Sequence, residues 1–361
     1  MIADFIEPGD ARWTRLLSRV RHDVFHLPHY LTLSANYEGG RPCAFYAEHG
    51  GQEFLAPLLI RDLPPELGAP SSWCDAITPY GYPTPLMTPS EDARDLEHFL
   101  RTFRDKAAEL GIVTAFFRLH PLLELPRVAL EPYGKLIQHG QTVFLDLNLT
   151  PELMWRQVRH DHREDINKLK RRGFRAVFDD WSRYDEFIAV YRSTMERVGA
   201  DEFYFFSDAY FADLRAALGS ALHLCAVLSP EGEFASGGLF TETGKTAQGF
   251  LAGTNPKYLR MAPAKLSIYS EALESKRLGN LVFHLGGGLG GRDDALFRSK
   301  TGFSRLRADF RTFRMIVLPD AFSTLLARAA RVAQAPVDPH AERFPPYRNL
   351  SLRAQEPVTI S

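Results

Sequence analysis

The residues best placed to do chemistry lie in one stretch, Leu281–Phe303, which reads LVFHLGGGLGGRDDALFRSKTGF. An apolar strand over Leu281–Leu285 runs into Gly286, Gly287 and Gly288, then Leu289, then Gly290 and Gly291. Asp293 and Asp294 open a short amphipathic helix that carries Arg298 and Lys300. Glycines after a strand let backbone approach a ligand closely, and a helix N-terminus offers unpaired N–H groups to an anion. Gly286, Gly288 and Gly291 also satisfy G-x-G-x-x-G, the dinucleotide fingerprint. The context opposes that reading: an antiparallel meander precedes the motif, and no strand ending in an acidic ribose binder follows. No Gly-Lys-Ser/Thr follows for a Walker loop. A strand-to-helix turn without a ligand is the plain structural alternative.

Around Lys300 the charge is one-sided. Arg298, Lys300, Arg305, Arg307, Arg311 and Arg314 fall within seventeen residues, opposed only by Asp309. With the basic helix at 156–172 they would make either a phosphate-binding face or an ordinary solvated one. The whole chain carries a formal charge of −1 over 361 residues, which excludes a uniformly basic nucleic-acid binder and leaves room for such a local face. Cys43, Cys74 and Cys225 lie far apart, with no CxxC and no zinc-site spacing, as expected of reduced thiols and no metal. The N-terminus lacks a signal-peptide pattern and no apolar run reaches the ~18 residues of a membrane span. A soluble, cytoplasmic protein without membrane insertion is expected.

The elements that must position this stretch read as two similar halves. The first has helices over residues 10–20 and 28–37, a hairpin turning at Gly50-Gly51, and a proline-rich loop from Pro64 to Pro85. A helix over Ser90–Leu110 and strands over Ile112–His120 and Thr142–Leu147 complete it. The second starts at Thr150-Pro151-Glu152, a strong helix start, with one helix to Arg172. A strand at 174–179, helices at 182–198 and 207–218, and three strands from His223 to Gly253 follow. A long helix over 263–278 then feeds the glycine stretch, and a strand at 310–318 and a helix at 319–332 close the unit. The expected division is residues 1–148, residues 149–333, and an extended proline-rich tail over 334–361.

Four segments, TPELMWRQVRHDHREDINKLKRRGF, TMERVGADEFYFFSDAYFADL, NPKYLRMAPAKLSIYSEALESKRLG and VFHLGGGLGGRDDALFRSKTGF, resemble the carboxy-terminal half of FemABX-type aminoacyltransferases, within the acetyltransferase-like (GNAT) superfamily. The first half of the chain resembles the first of that family's twin domains in layout only. The resemblance implies an α/β (α+β) chain of tandem GNAT-like domains, each a mixed, largely antiparallel sheet flanked by helices. It implies transfer of an aminoacyl group from aminoacyl-tRNA to an amine, either a cell-wall precursor or a small biosynthetic amine. No cofactor beyond that co-substrate is implied. An acyl-CoA N-acyltransferase and a non-catalytic ligand-binding descendant stay open on the same scaffold.

Residue by residue, the family's channel lysine, thought to polarise the ester carbonyl, falls on Lys300, with Ser299 where an aromatic is expected. A fixed cation there would stabilise the oxyanion formed when an amine attacks an ester. Arg197 matches the position that grips an acceptor carboxylate or phosphate, with a dipole-complementing helix cation as the alternative. Tyr204 falls where acceptor contacts are expected, and Phe250 where relatives often carry tyrosine. Gly286, Gly287 and Gly288 would wall the donor, and Arg298, Arg305 and Arg307 would face tRNA phosphates. Acetyl-CoA enzymes carry an Arg/Gln-x-x-Gly-x-Gly/Ala loop before the long helix. Here Tyr258–Ala264 reads YLRMAPA, without glycine, which favours another donor.

Overall fold

In a computed structural model of the chain, residues 2–90, 92–123 and 125–350 are described. The strands in chain order are β1 (Ile2–Ile6), β2 (Arg41–His49), β3 (Gln52–Asp62), β4 (Cys74–Ile77), β5 (Leu86–Met87), β6 (Ile112–Leu119) and β7 (Lys135–Asp146). Then come β8 (Arg175–Phe178), β9 (Leu222–Leu228), β10 (Phe234–Thr243), β11 (Thr246–Thr254), β12 (Val282–Gly286) and β13 (Arg307–Ile316). The helices are α1 (Ala11–Leu17), α2 (Pro28–Glu38), α3 (Ala93–Glu109), α4 (Arg127–Leu130), α5 (Pro151–Gln157) and α6 (His160–Arg171). They continue with α7 (Tyr184–Arg197), α8 (Asp208–Leu218), α9 (Pro263–Arg277), α10 (Ala295–Lys300) and α11 (Pro319–Ala333). Contacts divide the chain into two compact units. One holds residues 1–20, 34–138 and those from Arg311 onward; the other holds 21–33 and 139–310.

In the first unit β1, β2, β3 and β4 pair antiparallel in succession, β4 pairs β6 in parallel, and β6 pairs the Arg311–Ile316 part of β13 antiparallel. Helix α3 seats Leu96, Phe99, Leu100, Phe103 and Ala107 against this sheet, the spacing of one helical face. Asp92 caps its start, accepting the Arg94 N–H at 2.9 Å. The rings of Phe45, Phe54, Phe103, Phe117 and Phe313 fill the core beside it.

The second unit repeats the pairing. β8, β9, β10 and β11 run antiparallel in succession, β11 pairs β12 in parallel, and β12 pairs β7 antiparallel. The duplication expected from the order of elements is therefore present in the strand pairing. The core joins Ile166 and Leu169 of α6, Leu266, Tyr269 and Ala272 of α9, and Phe240, Phe283 and Phe303. Helix α9 also carries a wholly buried carboxyl, Glu271, which accepts the Ser267 hydroxyl at 2.7 Å and is pushed up to about 7 by burial.

Several expectations need correction. The helix expected over 151–172 is two helices, because Val158 and Arg159 are extended and the Arg159 N–H turns aside to the Gly302 carbonyl at 2.7 Å. The loop at 64–85 contains β4, which the parallel ladder to β6 draws into the sheet. The strand at Arg311–Ile316 and helix α11 belong to the first unit, not to residues 149–333. There β6 takes the strand, and α11 packs Phe322, Leu325 and Ala329 beside Leu67, Val113 and Tyr347. Residues 21–33, expected in the first half, join the second unit, where Phe25 and Tyr30 meet Phe250.

The tail is not extended through its described part. Tyr347 is fully buried and shares a 2.8 Å hydrogen bond with Thr114. Arg348 donates to Asp75 at 2.5 Å, and Arg61 holds the other oxygen of that wholly buried carboxylate at 2.8 Å. Residues 351–361 of the expected tail lie outside the described residues. Removing Asp75 would strand two half-hidden guanidinium groups. Asp75→Ala should therefore cost about 3 kcal/mol or more of unfolding free energy, read from urea titration, a loss typical of a broken buried pair.

Candidate functional site

The site grows from a point where two strands separate. β11 and β12 pair in parallel at Thr246↔Val282, Ala247↔Phe283 and Gln248↔His284, and the pairing stops there. Beyond that point β11 stays with β10, and the register passes from Phe240↔Gly249 to Leu239↔Leu251, so Phe250 is an unpaired bulge residue. β12 turns away with β7, ending at Gly286↔Val143. The last parallel pair is pinned by a 2.5 Å hydrogen bond between His284 Nδ1 and the Gln248 side-chain oxygen, both residues being buried. Phe25 and Tyr30 stand by Phe250, each ring centroid 6.4 Å from it.

The glycines form the corner after β12. Gly286 turns the chain at φ +72°, a conformation that disfavours side chains. A Cβ on Gly288 would lie 2.1 Å from the Arg292 carbonyl and 2.5 Å from Asp294 Oδ1, so only glycine fits. Asp294 caps α10, accepting the Phe297 N–H at 2.8 Å and the Leu289 N–H at 2.7 Å. These donors are therefore already satisfied within the loop. That removes the dinucleotide reading, which needs them for a pyrophosphate.

Lys300 ends α10, is half-buried, and donates from Nζ to the Gly287 carbonyl at 2.7 Å. Burial pulls its pKa down to about 8, with Asp294 opposing. An ammonium has three donors, so two remain for a developing oxyanion after the Gly287 bond is made. Among the described residues no cluster of His, Cys, Asp and Glu could hold a metal ion.

The segment behind Lys300 is braced by residues that the sequence reading did not single out. The His162 ring packs on Phe303 at 4.8 Å between centroids, and a Cβ on Gly302 would lie 2.2 Å from that ring. His162 is buried, and burial pulls its pKa down to about 4, so it is neutral at pH 7. Arg159 donates to His162 Nε2 at 3.1 Å and forms an ion pair with Asp161 at 2.5 Å. Because a guanidinium only donates, the imidazole proton sits on Nδ1. Lys265, from the first turn of α9, pairs with Asp165 at 2.6 Å. The signal was present in the His160–Arg163 cluster and in Gly302-Phe303, but only the fold shows that they meet.

The other expected site residues are spread more widely. Arg197 is exposed in the last turn of α7, and its side chain has no ion-pair partner among the described residues, as suits a cation complementing the helix dipole. Tyr204 is half-buried, its carbonyl accepting the Tyr191 hydroxyl at 2.9 Å. Ser299 is half-buried beside Lys300, and its carbonyl accepts the Gly302 N–H at 3.1 Å. Of the basic run, Arg298 is exposed and donates to the Asp293 carbonyl at 3.1 Å, and Arg305 is exposed. Arg307 instead donates inward to the Ser304 and Leu306 carbonyls at 2.9 and 2.8 Å, and lies over the Phe297 ring. Arg314, in the other unit, donates to the Ala341 carbonyl at 2.9 Å. The run is thus not one solvated face.

Before α9, residues Pro256–Met261 form a 3-10 turn and Ala262 takes a left-handed conformation at φ 52°. Pro263 follows at the first helical position and has no N–H to offer.

Residues 156–293 match the family model for an acetyltransferase (GNAT) domain. No curated protein matches the chain in sequence. Among solved structures it is similar to FemX, with a TM-score of 0.70 and 12% identity over 90% of this chain and 99% of that one. It is also similar to L-PGS from Bacillus licheniformis, with a TM-score of 0.53 and 15% identity over 90% of this chain and 97% of that one. A third is the C-terminal domain of a putative lysylphosphatidylglycerol synthetase from Agrobacterium fabrum, with a TM-score of 0.51 and 14% identity over 88% of this chain and 95% of that one. At such identities the likeness is one of fold, and it is the FemX-like, tandem GNAT-type fold that the sequence led us to expect.

Gly302→Ala should lower stability by about 2 kcal/mol, since overfilling a tight contact costs roughly that much. The loss should shrink in the His162→Ala background, where the ring is gone. A double-mutant cycle by urea denaturation checks this, and additive losses would refute the contact.

Proposed function

We propose that the chain is an acyltransferase that moves an aminoacyl group from aminoacyl-tRNA onto an amine, with Lys300 as the catalytic cation. The observation that carries the reading is the half-buried Lys300 ammonium, tied to the Gly287 carbonyl at the corner where β12 leaves β11. A neutral amine attacks the ester carbonyl and forms the new C–N bond. Charge builds on the carbonyl oxygen, and the two remaining Lys300 N–H groups stabilise it. Collapse breaks the bond to the ribose oxygen, and the proton released by the amine goes to that leaving oxygen. Gly286–Gly288 wall the donor, and exposed Arg298 and Arg305 are the basic residues best placed in solvent for tRNA phosphates. Arg197, Tyr204 and Phe250 are assigned to acceptor and acyl contacts, a role that follows from the resemblance.

Support for a donor other than CoA comes from the turn before α9. A pyrophosphate cradle needs several free N–H groups at a helix start, and Pro263 removes one where relatives that use CoA have glycines. One neighbouring structure is named for lysylphosphatidylglycerol synthesis, an aminoacylated product. The GNAT family match over residues 156–293 favours the second reading, an acyl-CoA N-acyltransferase. Incubation with radiolabelled aminoacyl-tRNA and a pool of amines, with and without RNase, separates the two. RNase-sensitive amide product is expected; RNase-insensitive product that depends on acetyl-CoA would establish the second reading instead.

Lys300→Met should lower kcat by about 10²–10³-fold with little change in KM, the usual cost of an oxyanion donor. Wild-type kcat should fall as pH rises through about 8, where Lys300 loses its charge. The same burial sets the sign of a stability effect. The folded pKa of about 8 lies below the ordinary 10.5, so the unfolded chain binds the extra proton between those values and stability rises with pH across them. In Lys300→Met that rise should vanish and the melting temperature at pH 7 should not drop. A variant that unfolds more readily yet retains full turnover would assign Lys300 a structural role only.

A further inference from the structure

The geometry points to a second site on the same unit: the free edge of β8 and the groove beside it form a docking site for an extended, acidic peptide segment of a partner protein. β8 pairs with β9 on one side and ends the strand order of its unit, so its other edge carries no ladder. The Asp179 N–H donates to the Leu224 carbonyl at 2.9 Å, which sets the alternation along this antiparallel pair. Arg175 and Val177 therefore bond β9, while Ala176 and Phe178 turn their N–H and C=O groups to the open edge.

A groove of about 450 Å³ runs along that edge between β8 and α9. Ala176 and Phe178 line it from the strand, Leu266 and Leu273 from the helix, and Lys170 and Arg175 flank it. A bare strand edge facing a helix across an apolar groove is the arrangement that accepts an added strand. Main-chain bonds hold the backbone, and alternate side chains drop into the groove. β9, β10 and β11 separate β8 from β12, so this surface is not the Lys300 corner.

Charge selects the occupant. Lys168, Lys170, Arg171, Arg172 and Arg175 are all exposed, and none has a carboxylate partner among the described residues. Arg277, also at the groove, is already neutralised by Glu274 at 2.5 Å. A second copy of the chain pairing edge to edge would bring the same five cations against these, which disfavours self-association. A strand bearing Asp, Glu or a terminal carboxylate would complement them.

The test pans a displayed library of random dodecapeptides against the full chain and measures enriched peptides by fluorescence anisotropy. Enriched sequences should alternate apolar residues and carry carboxylates. Their affinity should drop about tenfold or more in Ala176→Pro, which removes an edge-facing N–H at a position where an edge strand tolerates proline. Lys170→Glu with Arg175→Glu should abolish binding, while circular dichroism and melting temperature stay at wild-type values in both variants. Equal recovery on wild type and Ala176→Pro would overturn the proposal. So would sedimentation showing a dimer that Ala176→Pro dissolves, since the groove would then belong to a second copy.

Discussion

The candidate site depends on a single constraint, the arrest of parallel pairing between β11 and β12 after Gln248 and His284. Backbone N–H and C=O groups that leave a ladder must find other partners, so two strands cannot simply drift apart. β11 solves this by keeping β10 across a bulge at Phe250, and β12 by crossing to β7. The buried imidazole–amide bond between His284 and Gln248 fixes the place where the parting begins. Everything chemically useful lies beyond that point, because only there does the sheet present polar backbone and unfilled space together.

Lys300 is held at this parting by geometry that costs stability. Its ammonium is desolvated and has one carbonyl and a nearby carboxylate for company. Such a group persists only where its surroundings are over-determined. The surroundings here qualify: Asp294 fixes both ends of the glycine loop, and Gly302 is locked between the Arg159 N–H and the His162 ring. The break between α5 and α6 is part of the same device, since a continuous helix would have consumed the Arg159 N–H internally.

Much of this was legible in the amino-acid order, and the reasons are local. Helical periodicity, the Thr150-Pro151 start and the Gly244 turn are signals carried by a few neighbouring residues, and the second unit's elements follow them. Lys300 could be singled out because a lysine just after a glycine corner is unusual chemistry at short range. What could not be read depends on long-range pairing. β13 belongs with β6 because residues about 190 positions apart form one ladder, a relation that no window of sequence contains. His162 looked like one charged residue in a basic helix. Its burial is set by Gly302 and Phe303, far along the chain. The fragment 21–33 likewise reads as part of a first domain until Phe25 is seen against Phe250.

Duplication explains why one unit carries chemistry and the other does not. Both contain a parallel pair flanked by antiparallel strands, so both inherit a place where that pair ends. In the first unit the chain after β4 fills it. The Thr78 N–H continues to the Phe116 carbonyl at 2.9 Å, and the Arg118 guanidinium donates to the Thr78 carbonyl at 2.8 Å. Prolines 79, 83 and 85 are buried in this stretch, and Glu38 accepts the Tyr80 N–H at 2.8 Å. The rigid, aromatic loop that looked functional from its composition is therefore a plug. The second unit has no such plug after β11, because its chain turns at Asn255 into the 3-10 segment and α9. A cavity-forming fold duplicated in one chain can close one copy for stability, and the open copy is then free to carry a destabilising lysine.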